Sequence, residues 1–393
     1  MASDIFNPTP EHKQLREMVR LFAEREVEPQ ALESDKTETF NLELFRKVGE
    51  LGLLGITAQE RFGGAEMDPV AACIVHEELA AVDPGFTLAY LAHTLLFVNN
   101  LAFNGSDAQR EKYLPAACDG RHVGAMCMSE PDAGTDVLGM RTTARKDGDT
   151  YVLNGAKMWI TNGAIADGEL GDIFLVYARM EGAGRNELSM FIVEKGFEGI
   201  SLGQKIVDKL GMRASTTAEV VFEDCRVPAE NLVGEEGTAL MHMMRNLEVE
   251  RLGLAAMSLG IARRSVEIMN EYAKERKSFG EPLNRFGQIQ RHIAESYGEY
   301  MAGRFYTYGF ASRMSLEKPG QRLDSDGVKL YCSTMGKNVA DRAIQVLGGY
   351  GYCGEYRVER LWRDAKLLEI GGGTVEAHHK NMTRELSRID KLL

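Results

Sequence analysis

A glutamate set among apolar residues is a candidate general base, because removing a carboxylate from water raises its pKa towards the range where it takes a proton near neutrality. Leu247-Glu248-Val249-Glu250-Arg251-Leu252-Gly253-Leu254 contains one. Leu247, Val249, Leu252 and Leu254 make the surroundings of Glu250 apolar, and Gly253 permits close packing. Glu-x-Glu-Arg also occurs on solvated helices, so this segment alone leaves a surface carboxylate open. A second region is Met128-Ser129-Glu130-Pro131-Asp132-Ala133-Gly134-Thr135-Asp136, which reads either as an ordinary turn or as a strand-end hydroxyl with flanking N–H groups facing a polar planar ligand. A third is Lys157-Met158-Trp159-Ile160-Thr161-Asn162-Gly163. Trp159 offers a flat surface and Thr161 a hydroxyl, a pair suited to a flavin ring. The alternative is a core Trp beside a solvated Thr. Finding both motifs in one β-rich section is more specific than either.

Two further segments could hold phosphate or approach a cofactor closely. Arg276-Lys277-Ser278-Phe279-Gly280 closes a helical pattern, and an arginine there is either solvated or bidentate to a pyrophosphate. Gln345-Val346-Leu347-Gly348-Gly349-Tyr350-Gly351-Tyr352 and Gly371-Gly372-Gly373-Thr374 carry glycines that admit close backbone approach or simply end helices. No metal site is expected: the only adjacent histidines, His378-His379, point in different directions on a helix, and the six cysteines are scattered without a C-x-x-C pair.

The elements that must position these residues fall into three sections. Up to about residue 122 the patterns are helical. Leu15, Met18, Val19, Phe22 and Ala23 share one face, Pro29 is expected to help end that helix, and Leu88 to Phe103 reads as a buried helix. Residues 123–237 carry short β-rich runs, with Asn154-Gly155 as a hairpin signal. Residues 238–393 return to helical periodicity over 240–277, 285–316, 321–350 and 355–390. The expected fold class is α+β: an N-terminal helical domain (1–122), a central antiparallel β-sandwich or barrel (123–237) and a C-terminal four-helix bundle (238–393).

Composition narrows the function classes. The 393 residues are 44% hydrophobic and 26% charged, ordinary globular values. A net charge of −12 argues against nucleic acid or an anionic membrane surface as partner. No run approaches the roughly 20 apolar residues of a membrane span. Neither a signal peptide nor an Arg-rich transit segment is legible at the N-terminus, which implies a cytoplasmic protein or the mature form of an organelle protein.

Taken in order across nearly the whole chain, these motifs resemble the acyl-CoA dehydrogenase family, in particular its isovaleryl-CoA dehydrogenase-like branch. The resemblance implies FAD as cofactor, with Met126, Met128, Ser129, Trp159 and Thr161 at the flavin ring. Arg276, Phe279, Gln345 and Gly349 would act across a subunit boundary, and Thr374 and Glu376 would contact the nucleotide. Many members carry the catalytic Glu near the C-terminus, where this chain has Gly372; Glu369, three residues earlier, matches a non-catalytic position. In the isovaleryl-type branch the Glu precedes an Arg on the long helix, and Glu250-Arg251 fits.

By the same resemblance, the Gly372 N–H and a cofactor hydroxyl would hold the thioester carbonyl. Thr135 and Asp136 would lie near the acyl-CoA entrance, Glu248 beside the pantetheine arm, and Arg251 against the active-site backbone. Gly371-Gly372 removes two side chains near the base, which favours a branched or bulky acyl group, isovaleryl first. Arg245-Asn246 departs from a usual Ser-Gly pair. Arg245 would therefore either receive a carboxylate from a dicarboxylic or aromatic succinyl-type acyl group or be a solvated or interface arginine. Expected partners are an acyl-CoA, electron-transferring flavoprotein and identical subunits in a homotetramer, a dimer of dimers. Rival readings are a flavin oxidase and a non-catalytic flavin- or CoA-binding subunit.

Overall fold

Thr9 caps the first helix, Pro10–Phe22, whose Leu15 and Val19 are buried while Met18 and Phe22 are half-buried. The computed structural model describes residues 4–166, 168–318 and 320–390. Pro29 does not end the first helical run. A π turn at Ala23–Val27 leads directly into a helix Glu28–Thr37, where Pro29 sits in the first turn, a place that tolerates its missing N–H. The run ends instead at Glu38, which adopts a left-handed conformation with φ 53°.

Two buried helical stretches follow: Pro69–Ala80, and the run Pro84–Asn104, interrupted by a π turn at Ala92–Val98. The second departs from the expectation that no segment approaches a membrane span. Its 21 residues are long and apolar enough to cross a bilayer, yet 89% of its most apolar window is buried inside the protein, so its composition serves the core.

The central section is built on an eight-stranded sheet, beside which Ala164–Ala166 and Glu169–Leu170 form a small two-stranded ribbon. In spatial order the strands are Leu232–Val233, Leu188–Glu194, Ile173–Met180, Thr143–Asp147, Thr150–Thr161, Thr217–Pro228 and Ile200–Lys205, and Gly124–Cys127 pairs beside the first half of Ile173–Met180. Most pairs are antiparallel, but Gly124–Cys127 and Thr143–Ala144 both lie parallel to Ile173–Met180. Ile173–Met180 is buried on both faces. Phe174, Val176 and Ala178 enter the core enclosed by the sheet, whereas Ile173, Leu175 and Tyr177 pack towards the helices.

Asn154-Gly155 is not a hairpin turn. It forms an irregularity within the strand Thr150–Thr161, where a Cβ at Gly155 would lie 2.6 Å from Thr142 Oγ1. Asn154 Oδ1 accepts from the Asp224 N–H (2.8 Å) on the neighbouring strand, so the pair serves a cross-strand bulge.

Helices Ala239–Glu275, Gly287–Ala311, Arg322–Leu347 and Val358–Leu368 form the C-terminal bundle. The last expected helical stretch is two helices, because Gly372 and Gly373 take positive φ (65° and 105°) before Thr374 caps Val375–Leu386.

Helix Pro69–Ala80 is joined to the bundle by a buried charge cluster. Glu78 accepts from Arg16 (2.6 Å), from Arg20 at both of its oxygens and from Arg263 (2.7 Å). Glu77 accepts from Arg16 (3.0 Å) and the Tyr308 hydroxyl (2.5 Å) and pairs with Arg304 (3.0 Å). Burial raises the Glu78 pKa, but the hydrogen bond from Arg20 and the charges of Arg263 and Arg16 outweigh it and hold the group at about 2. Because this lies below the usual 4.5, the stabilisation is fully present above pH 4.5 and is lost as pH falls through 2. Glu78→Gln is expected to lower stability by about 3 kcal/mol at pH 7, with the difference from wild type shrinking in acid unfolding titrations below pH 4.

Candidate active site

Glu250 lies early in the fourth turn of the long helix Ala239–Glu275, in a part buried on nearly every side. A Cβ at Gly253 would lie 2.6 Å from Leu95 Cδ1, so the helix Pro84–Asn104 approaches here closely enough to exclude water. Glu250 is 7% exposed and its Oε2 has no hydrogen-bond partner. Burial drives its pKa up to about 7, against the lowering pull of the Arg251 and Lys329 charges.

The glycine loop that splits the last helices closes over this carboxylate. A Cβ at Gly372 would lie 2.4 Å from Leu254 and 3.4 Å from Glu250 Oε1, so any side chain there would fill the space above the base. Arg251 Nε donates to the Gly372 carbonyl (3.2 Å), and Lys329 Nζ donates to the Gly373 carbonyl (2.6 Å). Arg251 also pairs with Asp326 (3.2 Å), which holds His378 Nδ1 at 2.5 Å. Burial lowers the Lys329 pKa to about 7, with Glu250 pulling the other way. Among the described residues the Gly372 N–H has no protein acceptor. Glu369 pairs with Lys366 (2.7 Å) and Lys337 (3.8 Å) and is thereby occupied.

The two strand-end motifs are locked together. Met158 N–H donates to the Ser129 carbonyl (2.9 Å), and fully buried Lys157 donates to the Met128 carbonyl (3.2 Å) and Glu130 Oε1 (2.9 Å). Trp159 takes φ 60° and leaves its ring 55% exposed, so it is no core tryptophan. A left-handed non-glycine residue costs on the order of 1–3 kcal/mol, and the strand loses register with its neighbour between Lys157 and Ile160. Thr161 ends the strand half-buried, and Met126, Met128 and Ser129 are likewise half-buried. Thr135 and Asp136 are exposed, with Asp136 held by Arg185.

Glu248 is buried, and its carboxylate accepts from the N–H groups of Gly320 (3.2 Å) and Gln321 (3.1 Å). Arg245 is buried as well, contrary to the solvated alternative. Its Nη1 donates to the Leu316 carbonyl (2.7 Å), and its guanidinium lies 4.9 Å from the Phe103 ring centre.

At the far end of the long helix, Arg276, Lys277, Leu283, Gly349 and Tyr350 line an open cavity of about 500 Å³. Arg276 lies over the Tyr350 ring (5.7 Å), Gln345 is exposed, and Phe279 is 96% exposed. Thr374 Oγ1 accepts from Ala377 N–H (3.2 Å), and Glu376 is exposed on the same first turn. The structure thus brings Glu250, Arg251 and Gly372 together, and Arg276 with Gly349, as two separate groups.

Family models for the acyl-CoA dehydrogenase N-terminal, middle and C-terminal domains match residues 9–121, 125–225 and 237–387. The chain belongs to the acyl-CoA dehydrogenase family. It is therefore a flavin-dependent oxidoreductase. It is 43% identical to the mitochondrial isovaleryl-CoA dehydrogenase of Arabidopsis thaliana over 95% of this chain and 90% of that one. Butyryl-CoA dehydrogenase from Megasphaera elsdenii superposes with a TM-score of 0.92 at 35% identity, covering 99% of both chains. A chain from a solved structure of the electron transferring flavoprotein of Acidaminococcus fermentans superposes with a TM-score of 0.93 at 36% identity, covering 98% of this chain and 100% of that one.

Against this family background, Lys157, Glu130, Lys329, Asp326 and His378 went unnoticed in the sequence as parts of the site. Lys157 and Glu130 stand inside the two motifs and had a local signal. Lys329 and Asp326 had none, since only helix packing joins them to the glycine loop, and His378, five residues beyond Gly373, carries nothing in the sequence that marks its tie to Asp326. A carboxyl group whose folded pKa lies above its usual 4.5 destabilises the fold once both states are ionised, so stability falls as pH rises from 4.5 through 7. Glu250→Gln removes that penalty. Ligand-free protein carrying it is expected to gain about 3 kcal/mol over wild type at pH 8 and little at pH 4, read from denaturant midpoints.

Proposed function

We propose that this protein removes the α-proton and β-hydride of an acyl-CoA thioester to give the 2-enoyl-CoA, with Glu250 as base. The buried, unpartnered Glu250 Oε2 beneath the Gly372 loop carries this reading. Desolvation makes the carboxylate a stronger base towards a carbon acid, and Lys329 and Arg251 limit how far its pKa climbs. The free Gly372 N–H would donate to the thioester carbonyl oxygen and stabilise the charge that grows on it as the α-proton leaves. Arg251 is a positioning residue: its bond to the Gly372 carbonyl fixes the loop, and the Asp326–His378 pair fixes Arg251.

The residues present fit FAD. An aromatic plate held off the core at Trp159 and hydroxyls at Ser129 and Thr161 suit the ring, and Met126 and Met128 can pack against it. Thr374 and Glu376 at a helix start offer polar contacts to the nucleotide. When bound, the flavin supplies the acceptor for the β-hydride. Thr135, Asp136 and Glu248 stand for the CoA side. The space that Gly372 leaves above Glu250 favours a branched or bulky acyl group.

Arg276 lies 26 positions beyond Glu250, so the two are separated by roughly 39 Å along the helix axis. One cofactor cannot readily reach both, and an almost fully exposed Phe279 beside Arg276 supports a second subunit's cofactor as its target. A homotetramer built as a dimer of dimers follows this logic, with Gln345 and Gly349 serving the same boundary. An electron-transferring flavoprotein is the acceptor this reading assigns, in the cytoplasm or, for an organelle form, the mitochondrial matrix.

Anaerobic bleaching of the holoenzyme flavin by straight, branched, dicarboxylic, alicyclic and aromatic acyl-CoAs tests the reaction. Glu250→Gln is expected to slow bleaching by about 10²- to 10⁴-fold, and wild-type kcat/KM should rise with pH through about 7. Undiminished bleaching in the variant removes Glu250 as the base. Fast turnover with oxygen as sole acceptor would instead identify an oxidase, and no bleaching by any thioester a non-catalytic subunit. Arg276→Ala is expected to weaken FAD retention about tenfold or more, through the lost charge-assisted bonds, while leaving the Tm of the flavin-free protein unchanged.

A further inference from the structure

Five residues before Glu250, Arg245 is a buried cation without a buried anion. It is 5% exposed, and among the described residues it forms no ion pair. One hydrogen bond, from Nη1 to the Leu316 carbonyl, is all it makes to protein. Its Nε and Nη2 are both buried and unpartnered. Those two atoms form one edge of the guanidinium, the side-on fork whose parallel N–H groups match the two oxygens of a carboxylate. Phe103 covers the flat of the group and leaves that edge free.

The neighbourhood is polar in the same sense. Asn246 Nδ2 is a third buried donor without an acceptor, while its Oδ1 takes the Asn99 amide (3.2 Å). Asn100 donates to the Tyr177 hydroxyl (3.1 Å), and that hydroxyl feels the charges of both Arg245 and Glu250. The nearest carboxylate in sequence, Glu248, is committed to the Gly320 and Gln321 N–H groups. Burial depresses the Arg245 pKa to about 10 against the weaker opposing pull of Tyr177 and Glu248, the direction expected for a charge lacking a close counterion. Leaving such a charge unpaired is unfavourable, and an aliphatic acyl group such as isovaleryl offers these donors nothing.

We infer that Arg245, assisted by Asn246, receives a carboxylate on the acyl group itself, so that the substrate is a mono-CoA thioester of a branched or ring-bearing dicarboxylic acid. This rests on the dehydrogenase reading above and narrows it. Arg245 is then a specificity-determining residue: it binds the remote anion and takes no part in proton or hydride transfer. The product retains the carboxylate.

The test is anaerobic flavin reduction in the holoenzyme with paired thioesters: succinyl-, methylsuccinyl- and phenyl-substituted succinyl-CoA against butyryl-, isovaleryl- and phenyl-substituted butyryl-CoA. The wild type is expected to favour the carboxylate member of at least one pair by about 100-fold in kcat/KM, the scale of two charge-assisted hydrogen bonds. Arg245→Met is expected to collapse that ratio towards one. Arg245→Lys, which keeps the charge but lacks the fork, should recover only part of it, and serves alone if the methionine variant yields no holoenzyme. A wild type that prefers the neutral member of every pair overturns the inference, and so does a ratio that survives substitution while both rates fall together. Reduction by neutral thioesters alone leaves the dehydrogenase reading standing; no reduction by either set removes both.

Discussion

The fold depends on how closely the long helix Ala239–Glu275 is crossed by the helices of the N-terminal section. At Gly260 there is no room for a Cβ, which would fall 2.4 Å from the Glu77 carbonyl, and at Gly253 it would meet Leu95. Backbones at that separation leave no layer of water between them. Everything about Glu250 follows from its position one turn before Gly253. The crossing also sets Glu77 and Glu78 against Arg263 on the same long helix, so a single contact both joins the two helical sections and dries the candidate base.

Similar burial has opposite electrostatic results at different points along that crossing. Glu78 is surrounded by guanidinium groups and is held ionised, with its pKa near 2. Glu250 has no hydrogen-bond donor at Oε2 and is pushed to about 7. Arg245 is the cationic counterpart, buried with its side-on edge empty. The first arrangement serves stability, because its charges are neutralised inside the fold. The other two are unfavourable to the isolated protein and are relieved only by a ligand that takes a proton's place or supplies an anion. Their closeness on one helix marks this end of the molecule as the candidate reaction site and the other end of the crossing as a structural joint.

The site is also divided along the chain's length. The flavin-ring candidates are fastened to one another through Lys157, whose two bonds tie the Trp159 strand to the end of Gly124–Cys127. The Arg276–Gly349 group sits at the opposite end of a 37-residue helix. A rigid helix cannot fold its ends together, and that separation is the basis for proposing that the two groups serve different cofactor molecules in an assembly of identical subunits.

Element types and the order of motifs were legible in the sequence because they rest on local periodicity and composition. Helix, sheet and helix follow from the spacing of apolar residues, and Glu250 was marked by its apolar neighbours together with the family resemblance of the surrounding motifs. Conformations that only tertiary contacts impose were not legible. Pro29 fell in the first turn of a helix that follows a π turn, Asn154-Gly155 became a bulge packed against Thr142 and bonded to Asp224, and the final helical pattern broke at Gly372 and Gly373. Two strand pairings came out parallel, because Gly124–Cys127 and Thr143–Asp147 reach Ile173–Met180 through long connections and not through a hairpin. Nor could the sequence tell whether Arg245 was solvated: an arginine's exposure is decided by what packs over it, here Phe103 and Leu316 from segments far away in the chain. The sequence by itself determined which chemical groups the protein owns and in what order. The tertiary structure decided which of them lost their water, and that loss is a property of long-range packing.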